Sequence, residues 1–304
     1  MKNIKSVGII GAGALGLLYM ERISSWLGDE AFFLATEERC HTINATEYSI
    51  NGQSRSFKAL NPLELEVEAD LIILAVKNYH MDDIRPLLVT ASGPGTIILS
   101  VLNGISSEQM IKEECPESTV LYAAALGMDA VKVQNTLNFS TPGKIIVGEE
   151  RNRRTPELDS CTALFEECGI AYSVPEDIHR ELWFKWMINI GVNQVSAVTG
   201  APYGSFQTDP VLQDLMNRAM LETVALAAEE KINLTESSLK TWYTVLHTLG
   251  ADGKTSMLQD IEAGRETEVD SFAGELIRRA RKKGISVPVN ETLYAIIKTK
   301  ESLY

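Results

Sequence analysis

Residues 11–16 read Gly-Ala-Gly-Ala-Leu-Gly, directly after the apolar run Val7–Ile10 and at the mouth of an amphipathic stretch over Ala14–Trp26. No other feature narrows the fold as much. A strand that turns at once into a helix needs one glycine for the tight turn, and another where helix and strand pack closely. The middle glycine lets backbone approach a pyrophosphate, which the positive end of the helix attracts. The pattern alone is weak, but a strand before it and a helix after it are what a dinucleotide-binding unit requires. Gly11, Ala12, Gly13, Ala14, Leu15 and Gly16 are therefore expected to hold a dinucleotide.

The rest of the first half alternates strand and helix patterns, as a parallel sheet covered by helices does. Ala31–Ala35, Leu71–Val76 and Thr96–Leu102 read as strands, the second apolar on both faces like a central parallel strand. Helices are expected over Met81–Leu88 and Ser106–Glu114. Asn51-Gly52, between Tyr48–Ile50 and Ser54–Phe57, signals a hairpin. Val120–Ala124, Leu137–Phe139 and Ile145–Gly148 look like strands of a partly antiparallel portion, followed by a helix over Glu157–Cys168 and a strand at Ala171–Val174. Beyond Pro175 strand signals nearly vanish. Helical patterns run over Ile178–Val198, Pro210–Lys231, Glu236–Leu249, Ser256–Ala263, Thr267–Lys283 and Glu291–Lys300. The expected fold is an α/β Rossmann-type dinucleotide-binding domain (1–175) followed by an all-α substrate and catalytic domain (176–304). The active site is expected in the cleft between them.

A net charge of −13 argues against nucleic acid or an anionic membrane surface as partner. No apolar run approaches the roughly 20 residues that span a bilayer. The segment Val7–Tyr19 could pass for a signal-peptide core, but it is broken by three glycines and no cleavage site follows, so a cytoplasmic location is expected. Cys40, Cys115, Cys161 and Cys168 form no C-x-x-C pair and read as reduced thiols. The four histidines show no metal-ligand spacing, and no metal is expected.

Two segments carry the sharpest chemistry. Lys185, Asn189 and Asn193 stand at i, i+4 and i+8 among Trp, Met, Ile and Val. One helical face thus presents a cation and two amides in apolar surroundings, where a lysine's pKa falls and it can serve as proton donor. The bland alternative is a lysine that snorkels outward. His179, just ahead of this helix, is the fallback donor. In the second segment Ser256 and Asp260 share a face, Gly264 ends the helix, and Thr267-x-x-Asp270 looks like a capping box with Glu268 in its first turn. By spacing alone Glu268 is best read as complementing the helix dipole. Lys77 and Asn103-Gly104 follow strands of the first domain, where ligands of open α/β sheets bind. The segment after the second strand reads Leu34-Ala35-Thr36-Glu37-Glu38-Arg39 and gives a mixed cofactor signal. Thr36 can donate to a phosphate, Glu37 can accept from a ribose hydroxyl, and Arg39 can fold back toward a phosphate.

Several motifs together resemble the ketopantoate reductase (2-dehydropantoate 2-reductase) family along essentially the whole chain. They are Gly11–Gly16, Val76-Lys77, Asn103-Gly104, Pro142–Gly148, Glu181–Asn193 and Ser256–Asp270, the last two long and specific. The resemblance implies NADPH-dependent reduction of 2-ketopantoate to pantoate, in pantothenate and coenzyme A synthesis, with NADH as the other candidate cofactor. It implies Lys185 as general acid and Glu268 as the carboxylate that orients lysine and substrate. It further implies Asn103, Asn189, Asn193 and Ser256 on the substrate's carboxylate and hydroxyl. Thr36, Lys77 and Asn103 would lie on the cofactor, with Lys77 near its nicotinamide end. The partner is then a small anionic 2-keto acid, and the assembly a homodimer. The chain departs from the family twice. Thr36 stands where an arginine commonly binds the 2′-phosphate, and Gly253 where some members have an asparagine. A reductase of another branched 2-keto acid is the near alternative. The far one is a nicotinamide-sensing protein without turnover, which would need neither Lys185 nor Glu268.

Overall fold

The computed structural model describes residues 3–64 and 67–304. The chain divides into two compact units, residues 1–178 and 179–304.

The strands of the first unit are β1 (Val7–Ile10), β2 (Ala31–Leu34), β3 (Tyr48–Ile50), β4 (Gln53–Arg55), β5 (Ala59–Leu60) and β6 (Leu71–Leu74). They continue as β7 (Ile97–Ser100), β8 (Thr119–Met128), β9 (Val131–Val133), β10 (Thr136–Asn138), β11 (Pro142–Gly148) and β12 (Tyr172–Ser173). Among the described residues, eight of them form one sheet in the order β12-β11-β8-β7-β6-β1-β2-β5. It is parallel from β5 through β8, and β11 then runs antiparallel to β8. The chain leaves β1 for β2 on one side and later returns to β6 on the other. The sheet therefore has its topological switch point between β1 and β6, where such folds bind ligands beyond the strands' carboxyl ends.

β1, β6 and β7 are buried at every residue, which explains their unbroken apolar sequences. Alternate side chains feed opposite faces. Leu71 and Ile73 join the core with Leu17 and Ile23 of the first helix, Ala14–Leu27. Ile72 and Leu74 join Met81 and Leu88 of the helix Met81–Ala91 on the other face. Asn51-Gly52 closes the β3–β4 hairpin as expected, with Ile50 opposite Gln53. β8 extends to Met128, well past the expected Ala124, because β11 pairs with it out to Met128. Two short strands, β5 and β9, had no local signal and exist through their partners β2 and β10.

The second unit is helical among its described residues, with two departures from the expected pattern. The segment expected as one helix to Val198 is the helix Ile178–Ile188, a π-helical turn at Asn189–Asn193, and the helix Gln194–Thr199. The segment expected as a helix from Thr267 is a π-helical turn at Asp270–Gly274 followed by the helix Glu275–Lys283. A short helix, Tyr203–Thr208, was not anticipated. All four cysteines are free and buried. Among the described residues no helix is long and apolar enough to cross a membrane, and no three His, Cys, Asp or Glu side chains are grouped to hold a metal.

The helix Ser107–Glu114 begins just after Asn103-Gly104 and buries Glu108, which is 2% exposed. Ser107 Oγ donates to Glu108 Oε2 (3.1 Å) and shares a hydrogen bond with Ser100 Oγ (2.8 Å). Burial raises the carboxyl pKa to about 7. The folded state thus holds a proton that the unfolded chain releases, so stability falls as pH rises from the ordinary carboxylate value toward 7, then levels off. Glu108→Gln should therefore raise stability at pH 8 by up to about 3 kcal/mol and change it little at pH 4.5. Melting curves of both proteins at the two pH values check this; an equal shift at both would sink it.

Candidate active site

The glycine-rich turn lies at the switch point. Gly11 has φ +111°, and a Cβ there would meet Ala75 O at 2.6 Å; a Cβ at Gly16 would meet Gly11 O at 1.7 Å. The protein's own backbone thus demands both glycines. Gly13 is different. Its φ of −78° suits any residue, it is exposed, and a Cβ would come no closer than 3.8 Å to Ala75 O. Neither conformation nor packing requires glycine there. What remains is close approach by a ligand from outside, the use a pyrophosphate makes of this position. The first helix begins at that point with no side-chain cap and no acidic residue in its first turn, so its leading N–H groups and dipole favour an anion. These residues fit a dinucleotide.

Because β1, β6 and β7 are adjacent and parallel, the segments that follow them emerge at the same edge. Half-buried Lys77 follows β6, and Asn103 follows β7. Asn78, which sequence reasoning passed over, ties the two loops together by donating through Nδ2 to Asn103 O (2.5 Å). Its only signal was its place next to Lys77. Thr36, exposed after β2, precedes the helix Glu37–Asn44, and its side chain makes no capping bond.

In the second unit Lys185 lies on the helix Ile178–Ile188, partly exposed yet surrounded by protein. Desolvation lowers its pKa to about 8, and the nearby Glu268 carboxylate works against that fall. Asn189 and Asn193 follow across the π turn. On an α-helix, positions i+4 drift by about 40° per step. A π turn, closed by i→i+5 bonds, winds less per residue and turns the drift back. The two amides stay together: Asn193 Nδ2 donates to Asn189 Oδ1 (3.3 Å) and to Ser256 Oγ (3.5 Å). Gly191 lets the helix Pro210–Glu229 pack closely on this turn, since a Cβ there would meet the Met220 side chain at 2.5 Å.

Glu268 is 4% exposed, just ahead of the second π turn. Trp186, next to Lys185, donates through Nε1 to Ser271 O (3.0 Å) and so holds the lysine helix against that turn. In sequence Trp186 reads only as core. The expected capping box does not form. Thr267 N–H and Oγ1 both go to Glu301 Oε1 (2.8 and 2.7 Å), and Asp270 takes Tyr294 OH and Lys298 instead. Asp260 pairs with Arg265 (2.9 Å) at the end of the helix Ser256–Glu262, a structural task. At Gly253 a Cβ would meet Tyr203 Cδ2 at 3.1 Å, so an aromatic ring closes the space of a side chain.

The structure thus brings Lys185 and Glu268 together in one unit and places Asn189, Asn193 and Ser256 in a contiguous set. In the other unit it gathers the glycine-rich turn, Lys77 and Asn103 at one sheet edge. A doubly wound sheet with such a turn, and a desolvated lysine opposite a buried carboxylate, define a nicotinamide-dependent oxidoreductase. Residues 7–152 match the family described as ketopantoate reductase PanE/ApbA, and residues 177–301 match its C-terminal counterpart. The chain belongs to the ketopantoate reductase family. It is 26% identical over 302 residues to the 2-dehydropantoate 2-reductase of Pyrococcus horikoshii, covering 97% of each chain. The dimeric ketopantoate reductase of Staphylococcus aureus has the same fold, with a TM-score of 0.83, 20% identity and 98% and 99% coverage. So does a D-mandelate dehydrogenase in complex with NADH and anilino(oxo)acetate, with a TM-score of 0.87, 20% identity and 98% coverage of each chain.

Proposed function

We propose that this protein reduces 2-ketopantoate to pantoate with NADPH, and that Lys185 is the general acid. The observation that carries this reading is the Lys185 ammonium, desolvated to a pKa of about 8 beside the Glu268 carboxylate. Bound NADPH supplies the hydride that reduces the ketone carbon. Gly11–Gly16 hold its pyrophosphate, and Lys77 and Asn103 its nicotinamide end. Lys185 donates through Nζ to the carbonyl oxygen, stabilises the charge that develops there, and transfers its proton. Glu268 keeps the lysine protonated and aimed. Asn189, Asn193 and Ser256 offer hydrogen bonds to the substrate's carboxylate and hydroxyl. A pKa near 8 suits an acid that must be charged at neutral pH and still release its proton. Residues 1–175 act as the dinucleotide-binding domain and 176–304 as the catalytic one. The family's dimeric relative supports a homodimer.

The pH dependence follows from the sign of the shift. In the reducing direction Lys185 must be protonated, so kcat/KM should fall with a single ionisation as pH rises through about 8. In the oxidising direction the neutral amine accepts the proton, and the rate should rise through the same region. Steady-state rates in both directions from pH 6 to 10 check this; parallel profiles would remove Lys185 as the proton-transfer group.

A second reading has its own observation. Tyr203 closes the space at Gly253, three residues ahead of Ser256, and favours a 2-keto acid other than ketopantoate. Oxidation of NADPH and NADH, assayed in parallel against ketopantoate and a panel of 2-keto acids, decides between the two. Turnover of ketopantoate far below that of another member would overturn the first.

A further inference from the structure

β9 is pleated the wrong way round for a surface strand. Val131 and Val133 face solvent, 46% and 66% exposed, while Lys132 between them turns inward and is half-buried. Burying a cation while exposing two valines costs free energy on both counts, so something else must hold the register. Part of the answer is the partner strand β10, whose Leu137 sits opposite Lys132 and is fully buried. The other part is where the lysine goes. Lys132 Nζ donates to Ala12 O (2.9 Å), the carbonyl in the middle of the glycine-rich turn. Burial, reinforced by the charge of Arg39, holds its pKa below the usual lysine value. Among the described residues no carboxylate enters that balance. Arg39 comes from the helix Glu37–Asn44, directly after β2. Its neighbour Glu37 lies 3.8 Å from His41 along the same helix.

Two cations thus lie close enough to repel each other, Lys132 on the glycine-rich turn and Arg39 in the segment after β2. In dinucleotide folds the adenosine ribose lies between these two segments, and its 2′ substituent is read there. Thr36 brings no charge to that place. We propose that Lys132, together with Arg39, binds the 2′-phosphate of NADPH and sets the preference for it over NADH. An anion between the two cations relieves their mutual repulsion and gives half-buried Lys132 a charged partner. This rests on the reading above that NADPH is the cofactor.

Binding without turnover tests it. Calorimetric titrations of 2′,5′-ADP, 5′-AMP, NADPH and NADH would be run against the parent, Lys132→Gln and Arg39→Gln. The glutamine amide keeps a donor for Ala12 O and removes only the charge. Lys132→Gln should weaken 2′,5′-ADP and NADPH by roughly ten- to a hundredfold and leave 5′-AMP and NADH within about twofold. Arg39 is exposed and its glutamine variant is expected to fold, so it carries the same expectation should Lys132→Gln fail to. Equal weakening of both dinucleotides would make Lys132 a prop of the turn and overturn the inference. A parent that binds 2′,5′-ADP no better than 5′-AMP would overturn it too, while leaving dinucleotide binding intact. A parent that binds neither NADPH nor NADH would overturn the proposed function as well.

Discussion

Lys185→Ala should leave the protein folded and lower kcat by about a hundredfold or more, as loss of a general acid does. Its melting temperature should change modestly, because relief of the lysine's desolvation is set against loss of the cation beside buried Glu268. Dinucleotide affinity should hold, since the glycine-rich turn belongs to the other unit. Whatever activity survives should lose the ionisation near pH 8. Lys185→Arg should not restore it: a guanidinium keeps its proton far above pH 8 and cannot hand it over. Stopped-flow and steady-state rates on the two variants, with melting curves beside them, make the comparison. A folded Lys185→Ala protein with unchanged turnover would remove the lysine from the mechanism.

Glu268→Gln should cost less than loss of the lysine but more than a surface charge does. If the carboxylate merely complemented a helix dipole, its removal would cost about 0.3–1 kcal/mol of stability and spare catalysis. Here it is buried and raises the pKa of Lys185 against desolvation. Without it the ammonium stands uncompensated in protein surroundings, and the lysine pKa should fall below 8. The alkaline limb of kcat/KM should then move to lower pH, and kcat/KM at pH 8 should drop by about tenfold or more, well beyond what any melting shift explains. The diagnostic is the limb itself. A variant that melts earlier but keeps the parent's pH profile would show that Glu268 is a structural charge.

The sequence by itself determined what depends on near neighbours. Gly11–Gly16 between a strand and a helix encode their own turn, because Gly11 takes a φ of +111° and a Cβ at Gly16 would clash with Gly11 O, five residues back. Asn51-Gly52 fixes a hairpin because both residues adopt positive φ. The buried runs of β1 and β6 announce a parallel sheet, and the Lys185, Asn189, Asn193 spacing announces a shared face. Only the tertiary structure decided what depends on distant partners. The π turns at Asn189–Asn193 and Asp270–Gly274 carry no local signature, and the partner that packs on Gly191 in the first, Met220, lies 29 residues on. Thr267 reads in sequence as the start of a capping box; its Oγ1 does accept from Val269 N–H, but it donates to Glu301, 34 residues on, and the box with Asp270 does not form. The Lys132–Ala12 contact spans 120 residues, and β9, which carries it, has no strand signal of its own. Local propensity is worth tenths of a kcal/mol per residue. Burial of one large side chain, or of one charge with its partner, outweighs it, and such partners meet only once the chain has folded.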